Sequence, residues 1–150
     1  MGLYNQNGSH TGMLARRLLI ASTIAIVSTA AQAASCEQNF TASGVPLVTA
    51  VSYKTWQEFP KLKVDVALKR IAQEMAAQGF SGVRINKQLS SVDAHQETTG
   101  SGRIQTLRAV ARARGNSTRI DAVFNIQARQ VTDKNIVRAG LCDIVRAAAR

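Results

Sequence analysis

A chain of 150 residues with 19 Lys and Arg against nine Asp and Glu carries a formal charge of +10 and has an isoelectric point near 10.6. Two Pro, ten Gly and 45% hydrophobic residues exclude collagen-like, Pro-rich and highly charged disordered chains. The length is that of a single domain.

Residues 1–33 read as an N-terminal extension followed by a secretory signal peptide. The signal occupies about 13–33, MLARRLLIASTIAIVSTAAQA. Arg16 and Arg17 form its positive start, Leu18 to Val27 its apolar run, and Ala31-Gln32-Ala33 the small-x-small pattern that a signal peptidase pocket admits. The apolar run is shorter than the about 20 residues that a membrane span needs, so no transmembrane anchor is expected. The flanks of Arg16-Arg17 match a twin-arginine signal poorly, which points to general secretion. Either Met1 or Met13 serves as the start. Cleavage after Ala33 removes 33 of 150 residues and leaves 117, with 17 basic side chains against nine acidic ones.

Cys36 and Cys142 are the two cysteines. In an oxidising compartment an even pair reads most simply as one disulfide, here closing almost the whole mature chain. The alternative is a lipid anchor: Ala33-Ala34-Ser35-Cys36 is a degenerate lipobox, and lipidation would consume Cys36 and leave Cys142 alone.

Val45 to Thr55 alternates, with Val45, Leu47, Thr49, Val51 and Tyr53 on one face, which predicts a half-buried strand; Trp56, Phe59 and Pro60 break the pattern. Val64, Leu68, Ile71 and Met75 then form a helical stripe, ended by Gly79. Val83, Ile85, Lys87 and Leu89 alternate as a strand, Ser90-Ser91 predicts a turn, and Val92 to Thr98 a further strand before the break at Gly100-Ser101-Gly102.

The clearest hairpin follows. Arg103 to Arg114 places Leu107, Ala109, Ala111 and Ala113 on one face, and Arg119 to Arg129 places Ile120, Ala122, Phe124, Ile126 and Ala128 inward, around turn residues Gly115-Asn116-Ser117-Thr118. Matching the apolar faces predicts Ala113 opposite Ile120, Ala109 opposite Phe124, Leu107 opposite Ile126 and Arg112 opposite Asp121. Thr132 or Asp133 caps a last helix to about Ala148, with Val137, Leu141, Ile144 and Ala148 as its buried stripe. Cys142 falls about 130° from that stripe at 100° per residue, so a disulfide is expected to strap the helix's outer flank.

These elements predict an α+β fold, a four- to five-stranded antiparallel sheet with two helices on one face in the order β-α-β-β-β-β-α, as one mature domain at 34–150. The order is similar to the helix-grip arrangement of some small envelope domains, in element order alone.

Candidate chemistry is thin. Metal ligation needs several His, Cys, Asp or Glu converging, and after residue 33 the chain has one His, His95, two distant Cys and scattered acids. No metal, cofactor or catalytic residue is expected. Asp93, His95 and Glu97 alternate on one strand and read first as a solvated polar face; a small hydrolase or metal-dependent enzyme using His95 is the alternative. The stronger lead is anion binding by Arg108, Arg112, Arg114, Arg119 and Arg129 on the outer face of the hairpin, because a planar guanidinium binds carboxylate and phosphate in a bidentate manner. The expected partner is an anionic lipid, lipopolysaccharide or an acidic protein. Nucleic acid is not expected, since stacking needs aromatics among the basic residues and Trp56 and Tyr53 belong to another segment.

The reading is therefore a small basic exported protein, periplasmic, with a non-catalytic binding or structural role. The alternative is a lipoprotein accessory subunit of an envelope assembly, anchored through Cys36. No oligomeric state follows from the sequence.

Overall fold

The computed structural model describes residues 34–98 and 102–150. The export segment read at 1–33, with both candidate starts, lies outside the described residues, as do Gly100 and Ser101 of the glycine-flanked break.

Six strands and two helices follow one another as β1 (Thr41–Ser43), β2 (Val51–Pro60), α1 (Val64–Ala77), β3 (Ser81–Asn86), β4 (Ser91–Glu97), β5 (Ile104–Arg114), β6 (Ser117–Ile126) and α2 (Lys134–Ala147). The strands form one sheet in the order β1-β2-β6-β5-β4-β3, with every neighbouring pair antiparallel. The fold is thus α+β as expected, with six strands in place of four or five. The extra strand is the three-residue edge β1, too short to leave a periodic signal.

Alternation dictates which side chains enter the core. Along β5, Leu107, Ala109 and Ala111 are buried, and along β6, Ile120, Ala122, Phe124 and Ile126 are. Small side chains on β5 leave room for the helices, whose stripes close the inner face: Leu68, Ile71 and Met75 from α1, and Leu141, Ile144 and Ala148 from α2. The α1 stripe lies where its spacing predicts it. Its end is a Schellman closure, in which Phe80 N donates to Met75 O at 3.1 Å and Gly79 N to Ala76 O at 3.1 Å, with Gly79 at φ +86°. At the other helix, Asp133 is the cap: its carboxylate accepts from Asn135 N at 2.7 Å and Ile136 N at 3.1 Å. All of these residues belong to one compact unit.

Four local expectations are corrected. The strand predicted at 45–55 begins only at Val51 and runs on to Pro60. Val45 and Leu47 are more than half exposed, because residues 44–50 form a loop closed on itself. Tertiary pairing with β6 carries the strand through Trp56 and Phe59, where its own alternation fails. Similarly, Lys87 and Leu89 lie in the turn between β3 and β4, and β3 is an edge strand with a bulge between Ser81 and Arg84.

The hairpin register is the third correction. Leu107 faces Phe124, Ala109 faces Ala122, Ala111 faces Ile120, and Ala113 faces Thr118, two residues away from the predicted pairing. The turn is shorter than predicted: Arg114 pairs with Ser117, leaving two central residues. Gly115 takes φ +56° and Asn116 has no positive φ, the pattern of a type II′ hairpin with glycine first. A shift of two preserves which face every side chain occupies.

The fourth concerns the cysteines. Their sulfurs lie at bonding distance, 2.03 Å, with Cα atoms 5.5 Å apart, as predicted. Both residues are fully buried and belong to the core, where a strap over the helix's outer flank, outside the core, was expected. The reason is that residues 35–40 fold over the flank of α2 and bury it as a second face. Thr55 Oγ1 on β2 donates to Cys36 O at 2.5 Å, which ties this segment to the sheet, and Val145 is buried on the same flank.

Candidate functional site

The outer face of the sheet takes every side chain the core excludes. Cross-strand register arranges them in rows. One row runs Arg84, Asp93, Arg108, Val123, Lys54 across β3, β4, β5, β6 and β2. The next toward the chain end of β4 runs His95, Thr106, Asn125, Ser52. In the opposite direction come Val110, Asp121 and Trp56, then Arg112, Arg119 and Glu58.

Charge on this face is organised by two carboxylates. Asp93 is ion-paired with Arg108. Asp121 takes two arginines: Arg119 contacts Oδ1 through Nε at 3.0 Å and Nη2 at 2.8 Å, and Arg112 Nε lies 3.4 Å from Oδ2. That Oδ2 is buried and accepts no hydrogen bond, so it feels Arg112 as a neighbouring charge. Directly opposite Arg112 sits Arg119, not Asp121 as predicted; the predicted ion pair survives diagonally. Arg119 also lays its guanidinium over the Trp56 ring, 3.9 Å from the centroid. Glu58, a further acid on the face, is hydrogen-bonded to Ser117 Oγ.

Of the five predicted anion-binding arginines, four share this surface. Arg108 and Arg112 have side chains 60% and 57% exposed, Arg119 is stacked and half-buried, and Arg114 lies at the hairpin end opposite Ser117. Arg129 does not join them. β6 ends at Ile126, and Arg129 lies in the following loop at φ +67°, where its carbonyl accepts from Arg103 Nη1 at 2.9 Å. A polar run after Ile126 with no apolar alternation was the signal for that early end.

Sequence reasoning missed Arg84, Lys54 and Trp56. Arg84 and Lys54 were each detectable by alternation with their neighbours, but the strands carrying them are joined to the hairpin only through pairing. Trp56 corrects the premise that this face lacks an aromatic. One side of its ring is covered by Arg119.

A cavity of about 680 Å³ opens on the face, lined by Gly82, Arg84, Asp93, His95, Thr106, Arg108, Val123 and Asn125 among others. Gly82 shapes its wall. It has φ +62°, and a Cβ there would lie 2.4 Å from Cε1 of His95 and 2.7 Å from Nδ1, so the imidazole rests against bare backbone. In the Asp93, His95 and Glu97 set, Asp93 is engaged by Arg108, and Glu97 Oε1 accepts from Gly102 N at 3.0 Å. Among the described residues no group of three or more His, Cys, Asp or Glu is placed to hold a metal ion. A smaller cavity, about 180 Å³, lies between α2 and the inner face, lined by Phe80, Gln96, Phe124, Ile136 and Val137 among others.

Near the disulfide, Arg146 pairs with Glu37 and with Asp143. The hydrogen bond from Arg146 holds the Glu37 carboxyl below its ordinary value of 4.5, helped by a backbone hydrogen bond. No helix among the described residues is long and apolar enough to cross a membrane.

No family model matches the chain, and no curated protein matches it. Among solved structures it is similar to CalU16 from Micromonospora echinospora, at 9% identity over 73% of this chain and 88% of that one, with a TM-score of 0.42. A likeness at that level carries no argument about function.

Proposed function

We propose that this is a small exported envelope protein with a non-catalytic role, and that it binds an anionic partner through the outer face of its sheet. The observation that carries the reading is the charge count on that face: Lys54, Arg84, Arg108, Arg112, Arg114 and Arg119 stand against Asp93, Glu97, Asp121 and Glu58. Exposed arginines in excess attract phosphate or carboxylate and steer its approach. Asp93 and Asp121 act as props, holding Arg108, Arg112 and Arg119 along the sheet and competing with an anionic partner for them.

Export is supported by the signal-like segment at 13–33 together with a buried cysteine pair at bonding distance, since disulfides persist in oxidising compartments. A lipid anchor at Cys36 is the second reading of the N-terminus. It needs the sulfur that here faces Cys142, and intact mass of the isolated protein with and without reductant separates the two. A start at Ala34 and a gain of two protons on reduction supports the free protein; a start at Cys36 with acyl mass supports the anchored one.

Binding is tested by titrating the protein with inorganic polyphosphate and with lipopolysaccharide at low and high salt. Arg108→Glu with Arg112→Glu is expected to weaken binding by at least about tenfold and to flatten its salt dependence. Unchanged affinity in a double variant that melts like the parent sinks the reading.

A further inference from the structure

Nine large apolar side chains are exposed among the described residues, and six of them gather at one end of the sheet: Val45, Leu47, Val48, Ile104, Val131 and Ile136. Their convergence follows from register. Val51, which opens β2, pairs with Ile126, which closes β6, and Glu97, which closes β4, pairs with Ile104, which opens β5. The β1–β2 loop, the β4–β5 connection, the β6–α2 loop and the first turn of α2 therefore share that end. Val45, Leu47, Val48, Val131 and Ile136 are each between 55% and 71% exposed, on separate loop tips and a helix start, with Ile136 at the rim of the smaller cavity.

The β1–β2 loop is built to hold its apolar residues outward. Val45 N donates to Thr49 Oγ1 at 2.8 Å, and Val48 N and Thr49 N both donate to Val45 O, at 3.1 and 2.9 Å. Gly44 has φ +111°, and a Cβ there would lie 2.2 Å from Ala50 O, so only glycine lets the loop close this tightly. Leu47 sits at φ +68°, a region that bulky residues avoid. Loop closure thus strains the backbone at an apolar residue that it leaves in water.

Basic residues border the same end: Arg103, Arg129, Lys134 and Arg138, in the connections and in the first turns of α2. Two acids lie there among the described residues, and both are engaged locally, Glu97 with Gly102 N and Asp133 with the start of α2. Protruding apolar tips bordered by more cations than acids match the interface of a bilayer with anionic headgroups. Apolar side chains enter the headgroup–acyl boundary there, and Lys and Arg reach back to lipid phosphate.

We propose that this end of the molecule seats on an anionic bilayer surface, with the 45–48 loop, Val131 and Ile136 inserted and Arg129, Lys134 and Arg138 at headgroup level. The contact is separate from the arginine face and stands without it. It leaves that face turned sideways, free for a second anionic partner.

The test uses the protein as isolated from cells that make it, its N-terminus defined by intact mass. The vesicles are phosphatidylglycerol with phosphatidylethanolamine, or phosphatidylcholine alone. In a Trp56→Phe background, Leu47→Trp reports on the loop itself; its emission is expected to shift to the blue and become shielded from aqueous quencher on adding the anionic vesicles. Leu47→Asp with Val48→Asp is expected to weaken partitioning by about tenfold or more, and Lys134→Glu with Arg138→Glu to remove the preference for phosphatidylglycerol. Arg108→Glu with Arg112→Glu leaves the Leu47→Trp shift in place. An unshifted Leu47→Trp spectrum overturns the proposal, as does loss of binding in the Arg108/Arg112 variant while the loop variants bind normally. The latter result would assign the membrane contact to the arginine face.

Discussion

The two faces of the sheet are built from the same strands and obey opposite rules. Inward, Leu107, Ala109, Ala111, Ile120, Ala122 and Phe124 are buried and held by shape. Outward, one residue away on the same backbone, Arg108, Arg112, Arg119 and Asp121 are held by charge. The inner face tolerates no change of volume, because its small positions on β5 receive large groups from the helices and β6. The outer face tolerates changes of shape and responds to changes of sign. The difference teaches where stability and recognition reside: removing buried volume inside destabilises, and reversing a charge outside redirects.

The comparison breaks first at its stable side. Ile120→Ala removes a fully buried side chain and is expected to cost about 2–5 kcal/mol, whereas Thr106→Ala on the exposed face stays within about 0.5 kcal/mol. Urea denaturation reads both. Equal losses would mean that the sheet's two faces share the stabilising load.

A smaller effect sharpens the charged side. Asp121 anchors two arginines with a side chain only 18% exposed. Asp121→Asn is expected to lose about 1–2 kcal/mol of stability, through weakened charge-assisted hydrogen bonds. The same change is expected to tighten polyphosphate binding, since it frees Arg112 and Arg119 and adds one unit of positive charge. Stability and affinity moving in opposite directions is the signature of a prop; moving together, they would make Asp121 part of the binding site.

The smallest effect lies at the margin, where Glu37 meets Arg146. Because its folded pKa is lowered, Glu37 adds stability above its unfolded value near 4.5 and loses that contribution as pH falls through the lower folded value. The pair is exposed, so the contribution is under about 1 kcal/mol. Melting temperatures of the parent and Glu37→Gln are expected to differ slightly at pH 6 to 7 and to converge toward pH 3. A gap that persists at pH 3 would place the effect in packing, not charge.

How far the fold could be read in advance depends on whether its signal was local. The α1 stripe, the Gly79 stop, the Asp133 cap and the inward set of the hairpin from Leu107 to Ala111 and Ile120 to Ile126 were legible, because each depends on period or on a neighbour a few residues away; Ala113 and Ala128, expected inward, are exposed at the hairpin's two ends. The start of β2 was not: 45–50 alternates as well as any strand, yet its chain closes on Gly44 as a loop, while β2 draws Trp56 and Phe59 into regular pairing with β6. The candidate site was legible in part for the same reason. Arg108, Arg112, Arg114 and Arg119 sit on adjacent strands of one hairpin, so alternation alone places them together. Arg84, Lys54 and Trp56 reach them only through pairings between strands distant in the chain, and Arg129 was misplaced because its strand ended early.

The sequence by itself determined the class of fold, the inward and outward side chains of the central hairpin, the two helical stripes and the pairing of the only two cysteines. Those follow from periodicity, capping chemistry and an even cysteine count. Tertiary structure alone decided the strand order, the two-residue shift of register, the burial of the disulfide under residues 35–40 and the gathering of apolar loop tips at one end. Each of those rests on contacts between segments far apart in the chain, and their free energy is set only when the whole sheet closes over its helices.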